Sequence, residues 1–70
     1  MQNSILINTS IYWQKIPSNE RYFYMKDNGK IVLLRINNFP DEPLYTLING
    51  IDIIDIEDKP SGWRLELLQK

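Results

Sequence analysis

Six acidic side chains, Asp41, Glu42, Asp52, Asp55, Glu57 and Asp58, fall between residues 41 and 58 with no lysine or arginine among them. Carboxylates in such a run can do three kinds of chemistry: hold a hard cation, work as an acid–base pair, or attract a basic partner. Cation binding needs oxygens that converge. Asp52, Asp55, Glu57 and Asp58 lack the turn glycine and the roughly 12-residue span of a calcium loop, and donors along an extended strand point to alternate faces. No metal site and no cofactor are therefore expected.

Acid–base catalysis fares no better. The chain has no histidine and no cysteine, so the usual proton shuttle and thiol nucleophile are missing. A pair such as Glu20 and Glu66, or Asp55 and Asp58, would need a pocket of about 300 Å³ or more, which so small a β domain seldom encloses. The expectation is a protein without catalytic activity.

The third chemistry suits the charge distribution. Residues 1–40 carry a balance of +3, residues 41–58 a balance of −6 and the remainder +2, for a net charge of −1. An acidic face raises the rate of encounter with a basic partner and fixes its register, the principle by which immunity proteins and other inhibitors cover the basic cleft of a nuclease. The competing explanation is structural. An acidic hairpin lying beside a basic one would form pairs such as Asp52 or Asp55 with Arg35 or Lys26, each worth under about 1 kcal/mol at a surface.

Next to the acidic run stands Asn38-Phe39-Pro40-Asp41-Glu42-Pro43. Two prolines stiffen this loop and lower the entropic cost of binding. Phe39 either plugs the open end of the core or projects towards a partner, and plugging is the expectation. The leading reading is thus a small protein-binding module, inhibitor or immunity-like, whose recognition surface is Phe39, Asp41, Glu42, Asp52, Asp55, Glu57 and Asp58, with a protein partner that is basic.

A second constellation is Tyr22, Tyr24, Lys26 and Arg35, which alternation places on one face. Aromatics between cationic side chains can stack the bases of single-stranded nucleic acid. Against that reading stand the sequence pI of about 5.2 and the negative net charge, so tyrosines packed under a neighbouring element explain the pattern better. The same half-covered face offers a third reading, self-contact in a homo-oligomer.

The elements that must position these residues read as β structure. Asn28-Gly29 and Asn49-Gly50 each sit between apolar runs, the strongest short-range hairpin signal. A two-residue loop at the first pairs Asp27 with Lys30, Met25 with Val32, Phe23 with Leu34 and Arg21 with Ile36. This puts Phe23, Met25, Val32, Leu34 and Ile36 on a core face. The same construction at the second pairs Ile48 with Ile51, Leu47 with Asp52, Thr46 with Ile53 and Tyr45 with Ile54. Ile51 and Ile53 then oppose Ile54 and Ile56 in direction, which implies burial on both faces or a bulge near Ile53-Ile54.

Alternation over residues 4–14 reads as one strand or two short ones, and residues 63–68 as a final strand with one helical turn as its rival. Trp13 and Trp63 are expected in the core, able to meet across the first and last strands. The fold class is all-β: one domain over residues 1–70, a small antiparallel meander of five or six strands with two Asn-Gly hairpins, rolled into an open barrel or a two-layer sheet.

Seventy residues bury only about 60% of their unfolded surface and leave about 3 to 5 kcal/mol of net stability. Without cysteine or histidine, neither disulfide nor zinc can add to it. No apolar run approaches the roughly 18 residues that span a bilayer, and no signal segment opens the chain, so a soluble cytoplasmic protein without membrane contact is expected. On that expectation Asn8-Thr9-Ser10 is a chance glycosylation match.

Overall fold

A computed structural model describes residues 3–66. The elements are a short helix α1 (Asn3–Ile7) and strands β1 (Ile11–Lys15), β2 (Tyr22–Asp27), β3 (Lys30–Ile36), β4 (Tyr45–Asn49), β5 (Asp52–Ile56) and β6 (Trp63–Leu65). The strands form one curled, mixed sheet of order β5-β4-β3-β2-β1-β6, a half-barrel. No helix among the described residues is long and apolar enough to cross a membrane.

β2 and β3 pair in the register Asp27↔Lys30, Met25↔Val32, Phe23↔Leu34, and the Ile36 N–H donates to the Arg21 carbonyl at 2.7 Å. Asn28 and Gly29 form the turn with φ of 53° and 80°, the left-handed values that these two residue types tolerate.

The second hairpin departs from the expected register. Asn49 pairs with Asp52, Ile48 with Ile53, Leu47 with Ile54, Thr46 with Asp55 and Tyr45 with Ile56, so the turn is Gly50-Ile51. Gly50 alone carries a positive φ there, 64°, as a glycine-first turn requires. The pairing runs unbroken through Ile53-Ile54, and Ile51 and Ile53 are 97% and 70% exposed. The two-sided isoleucines thus reflect neither a bulge nor double burial.

Two further expectations are corrected. Residues 3–7 are helical rather than extended because the helix seats Leu6, fully buried, on the sheet. Its last carbonyls are satisfied locally: the Asn8 amide donates to Ser4 O at 2.8 Å and the Thr9 hydroxyl donates to Ile5 O. The Trp63 indole N–H donates to Leu6 O at 2.9 Å inside the core.

The sheet is also not purely antiparallel, since β6 runs parallel to β1 with Ile11↔Trp63, Tyr12↔Arg64 and Trp13↔Leu65. Residues 57–62 carry the chain from the Ile56 end of β5 to the Ile11 end of β1. There the Ile11 N–H donates to Gly62 O at 2.9 Å. A Cβ at Gly62 would meet Ser10 Cα at 3.1 Å and Thr9 O at 3.2 Å, so a side chain there would press the two backbones apart by a few tenths of an ångström. The end of the expected final strand, residues 67 and 68, lies outside the described residues.

The concave face holds the core: Ile11, Trp13, Phe23, Val32, Leu34, Tyr45, Leu47, Ile56 and Trp63 under Leu6. Trp13 and Trp63 meet edge to face with centroids 5.0 Å apart, and Tyr45 lies 6.4 Å from Trp63. The Tyr45–Trp63 contact reaches across the concave face from β4 to β6, and each buried aromatic contributes on the order of 2–3 kcal/mol.

Candidate functional site

The β3–β4 connection, residues 37–44, is held by polar contacts at both ends. The Asn37 N–H donates to Leu44 O at 3.1 Å, closing the base of the loop. Across its neck, the Glu42 N–H donates to Asn38 O at 2.8 Å and the Glu42 carboxylate accepts the Asn38 N–H at 2.9 Å. From β2's approach, Arg21 donates to Ile36 O at 3.1 Å and to the Asn38 side-chain oxygen at 2.7 Å.

Beneath the loop, Asn37 is a buried polar residue, 8% exposed. Its amide oxygen accepts from Arg35, its amide nitrogen donates to the Thr46 hydroxyl at 2.7 Å, and that hydroxyl lies 3.4 Å from the Asp55 carboxylate. Arg35 also stands 3.9 Å from Glu42. A buried amide must be bonded on both sides, so this chain of contacts fixes the loop to the sheet.

What the loop presents is Phe39, 59% exposed, behind a cis Phe39-Pro40 bond and beside exposed Asp41. Phe39 projects rather than plugs. Leu6 and the two tryptophans belong to the core cluster, and Phe39 does not.

The acidic residues divide by position along the strands. Ile56 pairs with Tyr45, so Glu57 and Asp58 follow at the same end of the sheet as Asp41 and Glu42, and both are exposed. Asp55 lies one pair inward on the convex face, against Thr46. Asp52 stands at the opposite end, beside the Gly50-Ile51 turn, and does not share a surface with Phe39. Among the described residues no three acidic side chains cluster closely enough to hold a metal ion.

Tyr22, Tyr24, Lys26 and Arg35 do share the convex face, paired with Arg35, Leu33, Ile31 and Tyr22 in turn. Both tyrosines are half-buried, the Tyr24 hydroxyl donates to Gln14 at 2.7 Å, and Arg35 is committed to Asn37. An open concavity of about 530 Å³ runs alongside, lined by Tyr12, Gln14, Tyr24 and Lys26, where the β1–β2 ladder stops at Gln14↔Tyr24.

Tyr45, at the foot of the same loop, has its hydroxyl pushed above the ordinary 10.0 by burial. The polar contacts of Arg21, Asn37 and Asn38 were not legible from composition. The adjacent Asn37-Asn38 before Phe-Pro was their one local signal, since such amides bond nearby backbone.

No family model matches this chain, and comparison with curated proteins and with solved structures returns no match. Its function must be argued from its own surface.

Proposed function

We propose that this protein is a non-catalytic, cytoplasmic binding module that holds a basic protein partner through the end of the half-barrel bearing Phe39, Asp41, Glu42, Glu57 and Asp58, in the manner of an inhibitor or immunity protein. The observation that carries the reading is Phe39, 59% exposed on a loop whose neck and base are both tied. An exposed aromatic on a fixed backbone offers apolar contact with little left to order on binding. The surrounding carboxylates supply steering and register.

The test uses a photo-reactive phenylalanine analogue at position 39 and, as control, at position 30, the first residue of β3 at the other end of the sheet. A defined protein crosslinked from cell lysate at position 39 but not at position 30, and lost when Asp41→Lys/Glu57→Lys is added to the chain carrying the position-39 analogue, is expected. Equal crosslinking from both positions, or capture indifferent to the double variant, would count against the reading.

A homo-oligomer has one specific observation in its favour. Ile53, Ile48, Leu33 and Tyr24 stand side by side across four strands of the convex face, and Ile31 beside them is 56% exposed. Sedimentation of the chain as a monomer at high micromolar concentration would remove that alternative.

A further inference from the structure

The hydrogen-bond phase of the sheet can be followed strand by strand to its free edge. The Asn37 N–H to Leu44 O bond shows that residues 44, 46 and 48 turn their backbone groups towards β3. Tyr45, Leu47 and Asn49 therefore turn theirs towards β5, where they meet Ile56, Ile54 and Asp52. Ile53 and Asp55 are left facing outward, and no strand lies beyond β5 among the described residues. Each presents an N–H and a C=O along an exposed edge, the arrangement that recruits an added strand.

Side chains define what such a strand must be. Asp52-Ile53-Ile54-Asp55 reads the same in both directions, with a carboxylate at either end and two isoleucines between. Ile53 is 70% exposed on the convex face, Ile54 is half-buried against the core, and Asp55 lies exposed beside Thr46. Directly opposed cross-strand pairs are favourable when apolar meets apolar and acid meets base, and unfavourable for like charges. A second copy of β5 would bring two sets of Asp52, Asp55, Glu57 and Asp58 together, so the edge disfavours its own kind.

We propose that the outer edge of β5 receives an extended basic segment of the protein partner, added as a further strand, with two apolar residues flanked by two basic ones opposite Asp52-Ile53-Ile54-Asp55. This rests on the reading of the protein as a binder of a basic partner and deepens it, giving the mode of contact and the pattern recognised. Backbone bonds to Ile53 and Asp55 supply affinity. The flanking acids select the sequence.

The probe is the capped peptide acetyl-Thr-Lys-Val-Val-Lys-Thr-amide, titrated into the full chain with isotope-labelled backbone amides. Two further peptides carry N-methyl groups on alternate residues, one set on odd positions and one on even. Only one set of peptide amides faces β5, so one methylated peptide is expected to bind as the parent does and the other at least about tenfold more weakly, a loss of about 1.4 kcal/mol.

Hydrogen exchange at the Ile53 and Asp55 amides should slow on binding, while that at Ile54, already bonded to Leu47, should not change. A Glu-for-Lys peptide should not bind. Equal binding by both methylated peptides, unchanged exchange at Ile53 and Asp55, binding of the Glu peptide, or protection of Ile53 by a second copy of the chain without peptide would each overturn the proposal. Retention of the position-39 crosslink despite any of these would leave the binding reading standing. Peptide protection of Ile53 with no specific crosslink at position 39 would overturn that reading and leave the edge.

Discussion

The β2–β3 and β4–β5 hairpins carry the same Asn-Gly dipeptide and use it differently. In the first, Asn28 and Gly29 are both turn residues; in the second, Asn49 is the last strand residue and the turn slides on to Gly50-Ile51. With Asn49-Gly50 as the turn, buried Leu47 would face Asp52 and Tyr45 would face Ile54. The observed register sets Leu47 against Ile54 and Tyr45 against Ile56 on the core face and leaves Asp52 at the rim. Pairing slips by two residues, so every side chain keeps its face. Core contacts outweigh turn preference where both turns are allowed, and the residual cost is an isoleucine 97% exposed.

If core contact sets the second register, its largest test is Leu47→Ala. Leu47 is fully buried, and the substitution should cost about 2–5 kcal/mol, comparable to the whole stability of so small a domain. Ile53→Ala, in the adjacent pair but on the convex face, should stay within about 0.5 kcal/mol. Urea midpoints followed by tryptophan fluorescence would separate them, and equal losses would break the explanation.

Next in size are the turn residues. Asn28→Val places a branched side chain at φ 53° and Gly50→Ala puts a Cβ at φ 64°; each should cost about 1–2 kcal/mol. Nothing lies within 4 Å of a Cβ at Gly50, so a loss there measures backbone conformation rather than a clash.

The same contrast governs what was legible in the sequence. Phe23, Val32 and Leu34 on one face follow from alternation alone, because β2 and β3 lie inside the sheet and obey one simple period. The N-terminal helix was not legible: Ile5, Ile7, Thr9 and Ile11 alternate, yet tertiary packing of Leu6 under Trp63 overrides the pattern over so few residues. The parallel β6 depends on a crossing by residues 57–62 that no local signal encodes.

At the candidate site, the charge of residues 41–58 was visible, but its division between two ends of the sheet depends on register. Asp52 and Glu57 sit close in sequence and at opposite ends of β5. Phe39 shows the same limit, since whether an aromatic plugs or projects depends on what else has filled the core.

Tyr45 offers a smaller effect in the same hairpin. Burial raises its folded ionisation point above 10.0, so the folded state holds its proton where the unfolded state has begun to lose it. Its contribution is complete below about pH 10 and is lost as pH rises through the folded value. Wild type should therefore lose stability above pH 10 more steeply than Tyr45→Phe; parallel curves would show that the ring's hydroxyl already reaches solvent.

The smallest effect is the most pointed test of how the two turns differ. Ile51 occupies the second position of a glycine-first turn, where a polar residue serves the backbone equally well and no core contact is at stake. Ile51→Asn should change stability by no more than about 0.5 kcal/mol. Cross-strand nuclear Overhauser contacts between Leu47 and Ile54 should persist in that variant. Their replacement by contacts between Leu47 and Asp52 would mean that turn chemistry, once its preference at position 51 is altered, can overrule the core after all.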